Sequence, residues 1–292
     1  MIFRHLALVL ALSITALHAE TVAPDSVRVL TDVPYKQGDA LSDYEKERCK
    51  LDVYLPKAGK DFATLVWFHG GGLTNGDKNG QQIKSDSVKT AQIARSLATA
   101  GIAVVSPNYR LSPKARFPAY IQDAAAAVAW TQAHITEHGG DATKVFVGGH
   151  SAGGYLTLML GMDAHYLADA GVKLAGIAGF IPVSGQTMTH YTIRAERGEP
   201  KNAITADEAA PVHFVRADTP PFLVLYADRD MAARAEENAF FAALMRGVGN
   251  KRVTSRMIKD RTHGSIASEI EKDGDPARVA ILEFIQANGV KR

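Results

Sequence analysis

Cysteine is nearly missing from this chain. Cys49 stands alone among 292 residues, which excludes any internal disulfide, whatever the compartment. Its setting, CKLDVYLP, alternates in the manner of a strand, so Cys49 reads as a small apolar residue rather than a thiol nucleophile. An excess of one charge is missing too. Thirty-three Lys and Arg against 31 Asp and Glu leave a formal net charge of +2. With no basic run or stripe, that removes the argument for nucleic acid or an anionic membrane as partner. Internal repeats and low-complexity segments are absent, which excludes solenoids and arrays. Long hydrophobic runs are lacking as well. The best of them, Leu6 to Leu17, is broken by Ser13 and Thr15. It falls short of the ~20 residues that span a bilayer.

That run has another use. Arg4 precedes it, Ala19 offers a small residue after it, and a polar stretch follows. This is the layout of a secretory signal peptide cleaved after Ala19. Residues 1–19 are therefore expected to be removed and the mature chain to be secreted or periplasmic, with no membrane span. No Cys lies near the cleavage region, so a lipoprotein is not expected. Hydrophobic residues make up 46% of the chain, ample for a core. The length fits one large α/β domain or two small ones. No second core is visible, so residues 20–292 are read as a single domain.

Apolar β-branched runs alternate with segments of helical period. Strands are expected over Ser26–Asp32, Cys49–Pro56, Thr64–Phe68, Ile102–Ser106, Lys144–Val147, Leu174–Val183, Phe222–Tyr226 and Val253–Ile258. Helices are expected over Ser85–Ala100, Ala119–Glu137, Ala152–Met162, Ala232–Arg246 and Pro276–Ala287. TLVWF at 64–68 is continuously apolar, as in a strand buried on both faces. The alternation implies an α/β fold: a mostly parallel central sheet with helices on both faces. Gly185 to Pro221 breaks the rhythm and carries several charges. Irregular segments of that length are often lids or binding loops, so it is expected to form a small cap insertion that shapes a pocket. Tyr191, Arg194, Glu196 and Arg197 are its candidate substrate contacts, but each is expected to be ordinary surface charge or polarity.

Four glycines crowd one serine in VFVGGHSAGGYL, residues 145–156. Glycine weakens strands and helices alike, so packing propensity does not explain them. Gly149-His150-Ser151-Ala152-Gly153 matches the G-x-S-x-G nucleophile elbow, a strained turn between strand and helix. Such a turn lifts the Ser151 hydroxyl clear of the sheet, and the Ala152 N–H can face a developing oxyanion. An apolar strand before it and an apolar helix after it supply the required context. Upstream, His69-Gly70-Gly71-Gly72 directly follows the TLVWF strand. A glycine run there lets backbone N–H groups face a substrate carbonyl.

A serine hydroxyl needs a base, and the base needs an orienting carboxylate. In this motif class the chain order is Ser, then Asp or Glu, then His. His263 fits as base, in a loop after the Val253–Ile258 strand and beside Gly264. His165, His190 and His213 follow no expected strand closely. Asp228 and Asp230 compete for the carboxylate role. A tight turn carries the later one, Asp230, outward toward the histidine loop, whereas Asp228 can bond the turn's own backbone. His69 is expected to order the glycine loop and His150 to fill the variable slot of the elbow. His134 and His138 are four apart on a helix, but no acidic third ligand accompanies them. A solvated helix end is expected, with no metal and no cofactor.

With these stretches in place, the sequence resembles the α/β-hydrolase superfamily, in the esterase branch with an HGGG oxyanion motif. Hormone-sensitive-lipase-like esterases and acetyl-xylan or feruloyl esterase-like proteins share it. LDVYLP, WFHGGGLTNGDK, SPNYRLSP, FPAYIQDAAAAVAW, GGDATKVFVGGHSAGGYL, PPFLVLYADRD and THGSI carry the resemblance from about Leu51 onward. It implies the α/β-hydrolase fold, Ser151 as nucleophile, His263 as base, Asp230 as orienter, and oxyanion N–H groups from Gly71, Gly72 and Ala152. Leu73 departs from the aromatic residue found after HGGG in many relatives, and no large N-terminal helical cap is visible. The expected activity is hydrolysis of short-acyl carboxylic esters, of acetyl or feruloyl type, on a small molecule or a polysaccharide. Arylformamidase, amidase or peptidase action by the same triad is the alternative. A hydrolase fold that has lost catalysis is a third reading, but such proteins usually lack a part that is present here.

Overall fold

The computed structural model describes residues 27–80, 89–200 and 203–289. The expected signal peptide and residues 85–88 of the expected helix Ser85–Ala100 lie outside them.

One eight-stranded sheet organises the molecule. Its strands are β1 (Val27–Pro34), β2 (Lys50–Pro56), β3 (Phe62–Phe68), β4 (Ala103–Pro107), β5 (Gly140–His150), β6 (Gly179–Val183), β7 (Phe222–Arg229) and β8 (Val253–Thr262). They lie in the order β1-β2-β4-β3-β5-β6-β7-β8. β2 runs antiparallel to β1 and β4, and the remaining neighbours pair parallel. The helices are α1 (Asp43–Arg48), α2 (Thr90–Thr99), α3 (Ala119–His134), α4 (Ala152–Met162), α5 (Ala164–Asp169), α6 (Tyr191–Glu196), α7 (Arg234–Gly247), α8 (Ser265–Ser268) and α9 (Pro276–Asn288). This is the α/β-hydrolase fold.

The pleat explains why the central strands are apolar throughout. Successive side chains leave opposite faces of a strand. Val66 and Phe68 of β3 enter the core beneath α3 and α4, with Val147 of β5. Leu65 and Trp67 enter the opposite core with Phe146, Leu97 of α2 and Ile281 of α9. A strand covered on both sides has no solvent face on which to place polar residues.

Several boundaries differ from expectation for identifiable reasons. α3 ends at His134, and its last turn tightens to a 3-10 turn, Ile135–His138, closed by Gly139 at φ 98°. Leu174–Gly176 is a 3-10 turn rather than strand, tied to α3 through Gln132, whose amide donates to the Gly176 carbonyl. β7 and β8 run past Tyr226 and Ile258 because Arg229 pairs with Thr262. The Asp228 carboxylate accepts from the N–H groups of Asp260 and Arg261, so it ties two strands together. α1 was not foreseen. It is short and held by a capping box between Ser42 and Glu45, which serves two N–H groups left open by the first turn.

α4 sits unusually close to the ends of the strands, and the glycines explain how. A Cβ at Gly153 would lie 2.0 Å from the Phe68 carbonyl oxygen, and one at Gly154 2.8 Å from that of Val183. Gly149 faces Gly153 and Phe68 at 2.7 Å in the same sense. The close seating of this helix is what places its first residues at the carboxyl ends of β3 and β5. Gly153→Ala is expected to cost about 3 kcal/mol in urea unfolding, the upper end for overpacking. Gly247→Ala, where a Cβ meets open space, should stay within about 0.5 kcal/mol of the parent.

Candidate active site

Ser151 is the hinge between β5 and α4 and adopts φ 57°, ψ −114°. That left-handed φ is costly for a residue with a side chain. Gly148, Gly149, Gly153 and Gly154 do not share it, so the strain falls on the serine while the glycines serve close approach. The Ser151 N–H donates to the Val183 carbonyl at 2.9 Å, and its own carbonyl accepts from Tyr155 at 2.9 Å. Both bonds hold the turn in place.

The structure brings Ser151, His263 and Asp230 together in one hydrogen-bonded line. His263 Nε2 lies 2.8 Å from Ser151 Oγ, and His263 Nδ1 lies 2.6 Å from Asp230 Oδ1. An ionised carboxylate only accepts, so Nδ1 carries the proton and Nε2 is free to accept from the serine hydroxyl. The Asp230 side chain is fully buried, whereas that of His263 is one-fifth exposed. Burial alone would raise the Asp230 carboxyl. The hydrogen bonds from His263 and Ser184 outweigh it and hold the group below its usual range. Asp230 also accepts from the Ala227 and Met231 N–H groups. Asp228, the competing residue, is 32 and 33 positions from its partners on β8 and takes no part in this line.

The glycine loop after β3 stands beside the elbow. A Cβ at Gly70 would meet Ser151 Cβ at 3.3 Å. The Gly70 carbonyl accepts from His69 Nδ1 at 2.7 Å. The Gly71 carbonyl accepts from the N–H groups of Thr74 and Asn75. In a trans peptide the N–H points opposite to the C=O. Both carbonyls are thus turned into the loop, and the N–H groups of Gly71 and Gly72 are turned away from it. Gly71 and Gly72 need φ of 110° and 64° to do this, a region glycine enters freely. Ala152 is the first residue of α4, so its N–H lacks an intrahelical partner. His69 stacks on Tyr109 at 4.3 Å, and the Tyr109 hydroxyl donates to the His69 carbonyl. Leu73 is fully buried, with φ 62°.

Other residues around the site were less legible. His150 does more than fill a slot: its Nε2 donates to the His263 carbonyl at 2.7 Å, and the two rings lie 4.7 Å apart. Ser184 donates its hydroxyl to Asp230 Oδ2. In the 185–221 segment, Thr192 donates to the Gly72 carbonyl, and the Tyr191 hydroxyl lies where a Gly72 Cβ would be. Arg194 is 6% exposed and donates to the Thr189 carbonyl, so its expected place on the surface is corrected. Glu196 accepts from the Phe117 N–H, and Arg197 pairs with Asp207 and Glu208. Partial signals existed. Ser184 and Gly185 follow a strand end, and Thr192 and Arg194 alternate with apolar Ile193. Among the described residues no group of three or more His, Cys, Asp or Glu could hold a metal, and His134 pairs with Glu137.

Sheet, elbow and hydrogen-bonded line together have the layout of the α/β-hydrolases. More narrowly, the chain belongs to the BD-FAE family, whose model matches residues 51–245. It is similar to "Esterase LipC" of Mycobacterium tuberculosis, 27% identical over 258 residues, covering 82% of this chain and 62% of that protein. It is also similar to "Carboxylesterase NlhH" of the same species, 31% identical over 161 residues, covering 55% of this chain and 44% of that protein. The chain thus spans less than two thirds of these relatives' own lengths. Among solved structures it resembles a "truncated form of carbohydrate esterase from gut microbiota", with a TM-score of 0.71 at 20% identity, covering 92% of this chain and 99% of that one. That likeness is one of fold.

Three imidazoles near the site are buried and neutral. Burial pushes His150 down to about 3, helped by the adjacent His263, and His69 down to about 4. It holds His190 well below its usual value. An unfolded histidine takes its proton near pH 6.5. Between that pH and the folded values the unfolded chain binds more protons, so stability rises with pH there. It is full above about pH 6.5 and is lost as pH falls toward 4 and then 3. Urea midpoints measured across this range should drop on acidification. In His150→Gln, which keeps a donor for the His263 carbonyl, the drop should be shallower.

Proposed function

We propose that this chain is a serine carboxylic ester hydrolase of the HGGG-type esterase branch, acting on short-acyl esters of acetyl or feruloyl type. The observation that carries the reading is the line from Ser151 through His263 to Asp230, hydrogen-bonded end to end with the serine on a strained turn. His263 takes the Ser151 proton at Nε2 as Oγ attacks the ester carbonyl. Asp230 holds the ring and stabilises the imidazolium that forms. The carbonyl oxygen becomes an oxyanion and receives the N–H groups of Gly71, Gly72 and Ala152. One such donor is worth roughly 2.7–4 kcal/mol in the transition state. The tetrahedral intermediate collapses, the C–O bond breaks, and His263 returns its proton to the leaving alcohol. Water then attacks the acyl-enzyme by the same route and releases the acid, with no cofactor needed.

A short acyl group is favoured by what surrounds the glycine loop. The Tyr191 hydroxyl sits against Gly72, and Leu73 is turned into the core. α6 is six residues long and is tied down at Gly72 by Thr192. This leaves no long apolar lid over the site among the described residues. We place the mature chain outside the cytoplasm, a reading supported by the apolar run behind Arg4.

Hydrolysis of p-nitrophenyl esters should fall steeply beyond short acyl chains, and acetate or ferulate should be released from polysaccharide-linked esters. Ser151→Ala should lower kcat on the order of 10⁴-fold or more. Faster cleavage of a matched amide than of the ester would replace this reading with an amidase. A fully active Ser151→Ala protein would falsify the mechanism.

A further inference from the structure

We propose that Ser184 is a positioning residue of the relay: its hydroxyl fixes the Asp230 carboxylate so that Oδ1 stays aimed at His263. The inference rests on the serine-hydrolase reading above.

Ser184 directly follows β6, is fully buried and adopts φ 49°. Glycine would take that conformation without strain, and the next residue, Gly185, is a glycine. A side chain kept in a region that penalises side chains points to a task for it. Every polar group of the residue is committed. Its N–H donates to the Leu225 carbonyl at 2.8 Å. Its carbonyl accepts from Arg234 Nη1 at 2.8 Å. Its hydroxyl donates to Asp230 Oδ2. Ser184 is therefore where the ends of β6 and β7, the start of α7 and the acid loop meet.

The carboxylate shows what the hydroxyl supplies. Oδ1 accepts from His263 Nδ1 at 2.6 Å and from the Met231 N–H at 2.8 Å. Oδ2 accepts from the Ala227 N–H at 3.2 Å and from Ser184. Without Ser184 only the longer backbone bond holds Oδ2, and the carboxylate plane can turn about its Cβ–Cγ bond. That plane sets the direction in which Oδ1 meets the histidine. Turned out of line, Oδ1 holds the imidazolium that forms during the reaction less tightly. The charged and titratable groups around the pair are His263 itself, His150 against the His263 ring, and Arg234 with Glu237 at 3.8 Å.

Ser184→Ala and Ser184→Gly test the assignment together. Both should lose about tenfold or more in kcat on a short-acyl ester, the scale of one hydrogen bond to a charged group, with KM within about twofold. The glycine variant, relieved of left-handed strain, should melt at or above the alanine variant, yet be no more active. In both, the midpoint of the His263 imidazole titration, followed by NMR without substrate, should move down relative to the parent, because the turned carboxylate holds the charged ring less well. An unchanged kcat with an unchanged titration overturns the proposal. A loss of kcat that merely tracks a loss of Tm, with the titration unmoved, overturns it too. If the parent hydrolyses no ester, the proposed function falls, and the NMR titration still decides the role of Ser184.

Discussion

The closeness of α4 to the sheet is the constraint on which the reactive end of this molecule depends. The Phe68 carbonyl occupies the space a Gly153 side chain would need. Because the helix can come that near, its first N–H groups and the serine before it stand level with the glycine loop that follows β3. The helix also brings its positive end to that point, where negative charge is stabilised. The left-handed turn at Ser151 is the geometric consequence of passing from strand to helix in one residue. Its two backbone hydrogen bonds hold it there, so the strain is supported by the surrounding fold.

A second layer works by excluding water. His69, His150 and His190 are buried without charge. Each is used as an oriented dipole: His69 on the Gly70 carbonyl, His150 on the His263 carbonyl, His190 on the Thr192 N–H. A charged side chain in these places would need a buried counterion. A neutral ring needs no counterion. Of the charges buried here, Asp230 accepts from four donors, and Arg234 donates to the Ser184 carbonyl and faces Glu237.

Much of this was legible in the sequence because it depends on local pattern. The apolar runs announce the central strands, since a doubly covered strand has no polar face. Ser151, Asp230 and His263, which the structure brings into one hydrogen-bonded line, could be singled out because each sits just past a strand end. The remainder depends on partners distant in the chain. β7 and β8 are long because Arg229 pairs with Thr262, with Asp228 bonding across to Asp260 and Arg261, which no local pattern records. The burial of Arg194 and the grip of Thr192 on Gly72 exist only once the 185–221 segment is folded onto the glycine loop. Ser184 is one of many polar residues after a strand, and nothing short of its backbone angle distinguishes it. α1 is the exception: its capping box was in plain view, and only its brevity hid it.

The order of the strands also sets a clock. The glycine loop and Ser151 follow β3 and β5, earlier in the chain. Asp230 and His263 hang from β7 and β8, the last two strands of the sheet in chain order. Until β8 docks against β7, the Ser151 hydroxyl lacks its hydrogen bond to His263. The line from Ser151 through His263 to Asp230 therefore closes only when the last strand of the sheet is in place.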